Sequence, residues 1–348
     1  MNMHSPEHVL RELTEQDCAR WDSYVERTPA ATFFHRAGWQ RVIEDSFSHK
    51  TYYVYTERAG AITGVLPLVH MKSRLFGNAL ISIPFGVYGG PVADDPSAYA
   101  RLDAHALELA DRLQVDHVEY RSVVASRPDW LCRDDLYFTF RRAIDADPEK
   151  NLKAIPRKQR AVVRQSLEKG LEAIVEDTVD NVYAVYAESV RNLGTPVFSK
   201  RYFRNLKQVF GKDCELLSIR KDGRPVSGVL SFYFRDEVLP YYGGGTFDAR
   251  KLGANDLMYW NLMSRAGQAG YRVFDFGRSK AGTGAYSFKK NWGFTAAPLH
   301  YEYRLCRIDS IPEHNPLNPK YRLMIASWKR LPLPIANLLG PHIVRNLG

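Results

Sequence analysis

Cysteine is scarce in this 348-residue chain: Cys18, Cys132, Cys214 and Cys306 lie far apart, with no C-x-x-C pair. A zinc knuckle and a redox dithiol are therefore not supported, and reduced packing residues are expected. The ten histidines include no H-E-x-x-H or comparable ligand spacing, so no metal is expected. The P-loop, the dinucleotide fingerprint and the G-x-S-x-G elbow are also missing, which leaves kinase, dehydrogenase and α/β-hydrolase readings without support. No apolar run approaches the length that spans a bilayer, and the first twenty residues mix acids with bases around no continuous apolar segment. A cytoplasmic protein is expected.

What is present is enough for two domains, each large enough to bury its own core, at 45% hydrophobic and 25% charged residues. The formal net charge of +9 attracts polyanions, anionic cofactors or an acidic membrane face. It does not select among them.

The chain contains one unit written twice. YYVYTERAGAITGVLPL (Tyr52–Leu68) shares its grammar with ELLSIRKDGRPVSGVLSF (Glu215–Phe232): a strand, a charged turn around glycine, and a second strand carrying Gly-Val-Leu. Downstream, ISIPFGVYGGPVAD (Ile81–Asp94) matches EVLPYYGGGTFDAR (Glu237–Arg250) at Tyr-Gly-Gly. A helix follows each, with Leu102, Ala106, Leu109 and Leu113 in one and Met258, Leu262, Ala266 and Ala269 in the other at helical spacing. Each helix feeds a strand ending in Arg-Ser, at His117–Ser122 and Val273–Ser279, and then an alternating strand, LYFTFRR near Leu136 or PLHYEYRL near Leu299. Upstream, Thr28-Pro29 and Thr195-Pro196 each separate two helical patterns. The expected fold is α/β of the α+β kind: two tandem domains, each with a mixed, mostly antiparallel sheet and one parallel pair flanking the crossover helix. The boundaries read as 1–147, 148–310 and a C-terminal tail at 311–348.

That order of elements resembles the GNAT acyltransferase fold in tandem, in which the parallel strands around the crossover splay apart to admit an acyl carrier. Here the splayed strands would be LPYYGGG and RVFDFGR, whose glycines weaken pairing and let a ligand approach the backbone. GANDLMYWNLMSRAGQAGYRVFDFG (Gly253–Gly277) and SFKKNWGF (Ser287–Phe294), supported by PFGVYGGP (Pro84–Pro91), resemble the FemAB family, which transfers amino acids from aminoacyl-tRNA to cell-wall precursors. DFGRS and NPLNPKYR are most similar to the FemAB-like branch found beside exosortase and PEP-CTERM exopolysaccharide systems. The first domain would then be the acceptor-side platform, and the second would hold the donor and the catalytic site.

The resemblance maps the Fem-type Phe-Lys pair onto Phe288 and Lys289, with Trp292 and Arg278 nearby. An ammonium against aromatic walls would stabilise the oxyanion as an amine attacks the acyl ester, or neutralise a donor phosphate. The first copy has no Phe-Lys-Lys, so the chemistry is expected in the second. In IPRKQRAVVRQSLEKG, Arg157, Arg160 and Arg164 share one helix face and suit phosphate, although a solvated face reads equally well. Tyr88, Gly89 and Gly90 would line the acceptor groove, or form a turn around a packed tyrosine. The side-chain candidates for a base are Tyr242 and Asp275, with the substrate or a water chain as the alternative. Gly243 and Gly244 belong to the donor site, and Arg250, Gly253 and Asn255 make half of the GNAT pyrophosphate loop, R/Q-x-x-G-x-G/A, broken by the asparagine.

From Asn315 the tail has five bases, no acid, and many leucines and isoleucines around Trp328. Such a composition suits an anionic bilayer surface, and docking back onto the first domain is the alternative. The expected activity is transfer of an aminoacyl or acyl group, from aminoacyl-tRNA or acyl-CoA as co-substrate, to an amine or hydroxyl of an envelope glycan, peptidoglycan or lipid-linked exopolysaccharide precursor. No tightly bound cofactor is expected, and tRNA is a partner only as the donor. Two rivals stand beside it: an acyl-CoA-dependent N-acyltransferase of a small molecule or sugar, and a non-catalytic polyanion-binding scaffold. Oligomeric state is not readable.

Overall fold

A computed structural model describes residues 8–74, 76–311 and 322–347. The chain falls into two units, one running to Asp135 and resuming at Leu299, the other spanning Leu136–Pro298 and taking in the C-terminal helices. Each contains an eight-stranded sheet.

In the first unit the strands lie in the order Val9–Glu12, Lys50–Arg58, Ala61–Ser73, Gly77–Ser82, His117–Ser122, His300–Leu305, Leu131–Arg133, with Val92–Ala93 beside Ala61–Ser73. The crossover helix Pro96–Leu113 starts where the Asp95 carboxylate accepts the N–H groups of Ser97 and Ala98, and it stops at Gln114 in the left-handed region. Its buried stripe of Leu102, Ala106 and Leu109 packs with Leu66, Leu80 and Val118. In the second unit the order is Leu171–Val175, Cys214–Lys221, Arg224–Phe234, Glu237–Gly245, Val273–Asp275, Tyr137–Ala143, Ser279–Lys280, with Ala296–Pro298 also on Tyr137–Ala143. Helices Asp180–Leu193 and Lys200–Phe210 precede its hairpin, and Ala254–Gln268 is its crossover. All pairings are antiparallel except Gly77–Ser82 with His117–Ser122 and Glu237–Gly245 with Val273–Asp275. These tandem GNAT-like sheets match the expected class and element order.

The ends of the repeats differ from expectation. The alternating strand Tyr137–Ala143 does not close the first sheet; it pairs with Val273–Asp275 (Val273↔Ala143, Asp275↔Arg141). The strand His300–Leu305 instead pairs with His117–Ser122 (His300↔Ser122, Leu305↔His117). Alternation announces a buried face but says nothing about which edge a strand joins. The divisions between the units fall at 135/136 and 298/299, and the chain returns to the second unit between 311 and 322, where the tail was expected to begin.

The tail also folds. Helices Arg322–Lys329 and Leu333–Val344 pack against Asp180–Leu193 in the second unit, not the first, and Arg191 Nη1 donates to the Leu331 carbonyl at 3.1 Å. Most of the NPLNPKYR stretch, up to residue 321, lies outside the described residues. No helix among the described residues is long and apolar enough to cross a membrane.

The crossover helix passes close to the chain leaving Tyr137–Ala143, because a Cβ added at Gly267 would collide with the Asp145 carbonyl oxygen. Gly→Ala in a helix interior ordinarily stabilises by about 1 kcal/mol, whereas forcing a methyl against fixed backbone costs about 1–3 kcal/mol. The steric term wins. Gly267→Ala is expected to lower the unfolding midpoint in a thermal melt; a raised midpoint would contradict this packing.

Candidate active site

The second unit parts its parallel strands after a short contact. Glu237–Gly245 and Val273–Asp275 pair only at Glu237↔Val273 and Val238↔Phe274, and no strand among the described residues takes residues 239–245 on that edge. The opposite edge stays zipped to Arg224–Phe234 as far as Ser227↔Gly245. A register shift opposite Leu230/Ser231 makes Tyr241 the extra residue of a β-bulge. The parting and the bulge together mark where the sheet opens.

The glycines serve packing rather than ligand approach across a face. A Cβ at Gly243 would lie 2.8 Å from the Tyr259 hydroxyl, one at Gly244 2.6 Å from Ser189 Cβ, and one at Gly245 2.7 Å from Ala249 Cβ. Protein fills both faces of the strand. Tyr259, from the crossover helix, lays its hydroxyl on the face of the strand at Gly243; burial pushes its phenol up to about 12, so it stays protonated near neutrality and is a donor.

After Asp275 the backbone turns through Gly277, at φ +64°. Lys289 governs this turn. The segment carrying Phe288 and Lys289 is a helix, Gly284–Asn291, started by the Thr283 hydroxyl accepting from Tyr286 N–H at 3.3 Å. Helical geometry turns Lys289 inward and leaves Lys290 exposed. Lys289 Nζ donates to the carbonyls of Phe276 (2.6 Å), Gly277 (3.0 Å) and Arg278 (3.1 Å). Burial pulls its pKa down to about 7; the Asp275 charge opposes this and Arg278 adds to it. With three carbonyls taking its three N–H bonds, Lys289 positions the backbone and has no hydrogen left for an oxyanion.

The base candidates are committed elsewhere. Asp275 is fully buried, accepts Gly277 N–H at 2.7 Å and pairs with Arg141 at 3.4 Å, and Arg141 also bonds Glu237. The Arg278 guanidinium lies 4.6 Å from the Tyr137 ring centroid. Tyr242 is buried among Tyr186, Phe198 and Phe203, its hydroxyl 3.0 Å from that of Tyr202, and burial raises its pKa far above the phenol range. Neither is placed to take a proton from an amine. Trp292, expected at the substrate, is fully buried and donates its indole N–H to Asp256 at 2.9 Å. Asp256 also accepts from Gln159, and desolvation raises its carboxyl pKa. Phe288 remains half-buried against Tyr259 and Phe276 and keeps a surface to offer.

Helix Arg157–Leu167 lies on the crossover helix through Gln159, Val163 and Ser166, which turns Arg157, Arg160 and Arg164 outward. Arg160 bonds the Lys153 carbonyl at 3.0 Å, and Arg157 and Arg164 are exposed. Of the half motif, Arg250 is exposed, Gly253 is covered by Val162 and Ser166, and Asn255 Oδ1 accepts from Ser227 Oγ at 2.8 Å. Helix packing thus occupies the place where a pyrophosphate cradle was expected.

The first unit parts its strands as well, after Ala79↔His117, Leu80↔Val118 and Ile81↔Glu119. Its own chain fills the opening. Gly89 and Gly90 N–H groups bond the Arg121 carbonyl at 2.9 and 3.3 Å, and Tyr88 packs on Phe34. Tyr88, Gly89 and Gly90 are buried and present no groove surface. Buried Arg121 donates to the carbonyls of Ile83, Pro84 and Gly86 and to Glu119, clamping the plug.

Sequence reasoning missed Tyr259 and Arg141. Tyr259 had a signal, since it follows Asp256 by three residues on the same helix face. Arg141 had none, because its role depends on the exchanged strand.

Residues 157–290 match the family described as acetyltransferase (GNAT) domain. No curated protein matches the chain. Among solved structures, FemX is similar at 16% identity and TM-score 0.68, over 91% of this chain and 100% of that one. The C-terminal domain of a putative lysylphosphatidylglycerol synthetase from Agrobacterium fabrum is similar at 14% and 0.57, over 84% and 92%. A tandem GNAT protein from the clavulanic acid biosynthesis pathway is similar at 12% and 0.55, over 88% and 100%. At these identities the structural likeness establishes the fold, and the second unit carries a GNAT acetyltransferase domain over residues 157–290.

The clamp gives two measurements. Lys289→Met should lower stability by about 2–4 kcal/mol in denaturant unfolding, since buried carbonyls lose their donor. In the native protein the Lys289 amine should titrate near pH 7 by heteronuclear NMR, against 10.5 for an ordinary lysine. Because the unfolded lysine holds its proton to higher pH, this group's contribution to stability grows as pH rises from 7 to 10.5 and shrinks on the way down. Titration near 10.5 would show that the amine is not buried.

Proposed function

We propose that the second unit transfers an aminoacyl group from aminoacyl-tRNA to an amine or hydroxyl of an envelope glycan or lipid-linked exopolysaccharide precursor, working at the inner face of the membrane. The observation that carries this is the parting of the parallel strands after Val238↔Phe274, a gap in which an acyl carbonyl would be held by backbone N–H donors. The nucleophile attacks the carbonyl carbon of the ester, and the oxyanion that develops is stabilised by those N–H groups with the Tyr259 hydroxyl beside them. The C–O bond to the tRNA ribose then breaks, and the proton lost by the nucleophile goes to the departing hydroxyl through water or substrate. The half-buried Phe288 borders the acyl group.

The choice of donor rests on where the positive charge lies. Arg157, Arg160 and Arg164 form an outward stripe suited to an extended phosphate backbone, whereas Gly253 lies under Val162 and Ser166. The name of the lysylphosphatidylglycerol synthetase among the similar structures supports an aminoacyl group and a lipid-borne acceptor. Acyl-CoA is the second reading, favoured by exposed Arg250 and Lys251 before the crossover helix.

Native mass spectrometry and thermal-shift assays with aminoacyl-tRNA, CoA and acyl-CoAs separate the readings. Aminoacyl-tRNA is expected to bind and stabilise, and Arg157→Ala with Arg164→Ala should flatten the salt dependence of log K by about 1–2. A shift with acyl-CoA alone would assign the second reading, and no transfer with any donor would favour the scaffold. Tyr259→Phe should reduce kcat by roughly tenfold to a hundredfold with an unchanged melting temperature. Unchanged kcat would remove the hydroxyl from the reaction.

A further inference from the structure

The last helix places its small residues inward and its large ones outward. In Leu333–Val344 the side facing the second unit carries Ala336, Gly340 and Val344, and a Cβ on Gly340 would sit 2.8 Å from the Val197 nitrogen. The opposite side carries Ile335, Leu338 and Leu339, which are 44%, 69% and 44% exposed. Helix Arg322–Lys329 anchors itself by buried Trp328 and still leaves Leu323 and Met324 80% and 59% exposed. Leu193, also exposed, ends the helix on which both rest, beside the glycine that Ile325 covers. Burial of apolar surface drives docking, so a segment that only docked would turn its leucines in and its glycine out. The outward face is built for an apolar partner.

Charge selects that partner. Between residues 323 and 345 the chain carries Lys329, Arg330 and Arg345 and no acid. A second copy related by a two-fold axis would set these bases against their own counterparts, which is repulsive. Phospholipid headgroups of negative charge complement them while acyl chains receive the leucines. We propose that the outward face of helices Arg322–Lys329 and Leu333–Val344 seats in the surface of an anionic bilayer. The helices lie in the headgroup plane, since neither crosses a membrane. The inference deepens the membrane-side working place proposed above and rests on it only for its purpose; vesicle binding and turnover are separate readouts, and either can fail alone.

The test is flotation of the full chain with phosphatidylcholine vesicles, with and without phosphatidylglycerol. The native protein is expected to float with the anionic vesicles and to stay down with the neutral ones. Lys329→Gln with Arg330→Gln should lower partitioning by roughly 20–30-fold, taking each base near the surface at its usual worth. Leu338→Ser with Leu339→Ser should lower it by roughly tenfold or more while the melting temperature holds, because both side chains are exposed. The proposal is overturned if the native protein does not float, if the leucine variant floats equally, or if light scattering shows a dimer that the leucine substitutions dissolve.

Discussion

The ammonium of Lys289, shared among the carbonyls of Phe276, Gly277 and Arg278, fixes the chain where the two parallel strands separate. Backbone groups leaving a strand must find partners, and the nearest would be the neighbouring strand's own N–H groups. By satisfying these carbonyls from a helix, the protein removes the incentive to zip residues 239–245 shut. The ion pairs of Arg141 with Asp275 and Glu237 hold the end that remains joined. The opening is thus bounded by charge on one side and a satisfied turn on the other.

The first unit meets the same constraint with a different cation. Arg121 gathers the carbonyls of Ile83, Pro84 and Gly86, but the loop it gathers folds into the opening. Two copies of one architecture therefore differ in whether the gap is filled by their own chain.

Much of the fold was legible. The repeat, the hairpins around Gly60 and Gly223 and the crossover helices follow from glycine placement and periodicity, which are local signals, and the parted strands were implied by the resemblance to the GNAT fold. The site was legible only as a region. Phe288 and Lys289 were identified beside it, yet the ammonium's task was misread, because residue type shows that a cation is present and not how many carbonyls surround it. Tyr242, Asp275 and Trp292 looked available in sequence and are sequestered by Tyr202, Gly277 and Asp256, partners brought in by tertiary contact. The exchange of Tyr137–Ala143 and His300–Leu305 left no mark, since either strand's alternation suits either sheet.

That exchange bears on how the chain is made. The edge of His117–Ser122 has to wait for His300–Leu305. At about 5–20 residues per second a ribosome needs roughly 10–40 s to reach the missing partner. During that interval the nascent first half shows an unfinished β-edge of the kind that invites aggregation. Ribosome-associated holding factors have a defined window in which to act on this protein, and the window closes only as the last strand emerges.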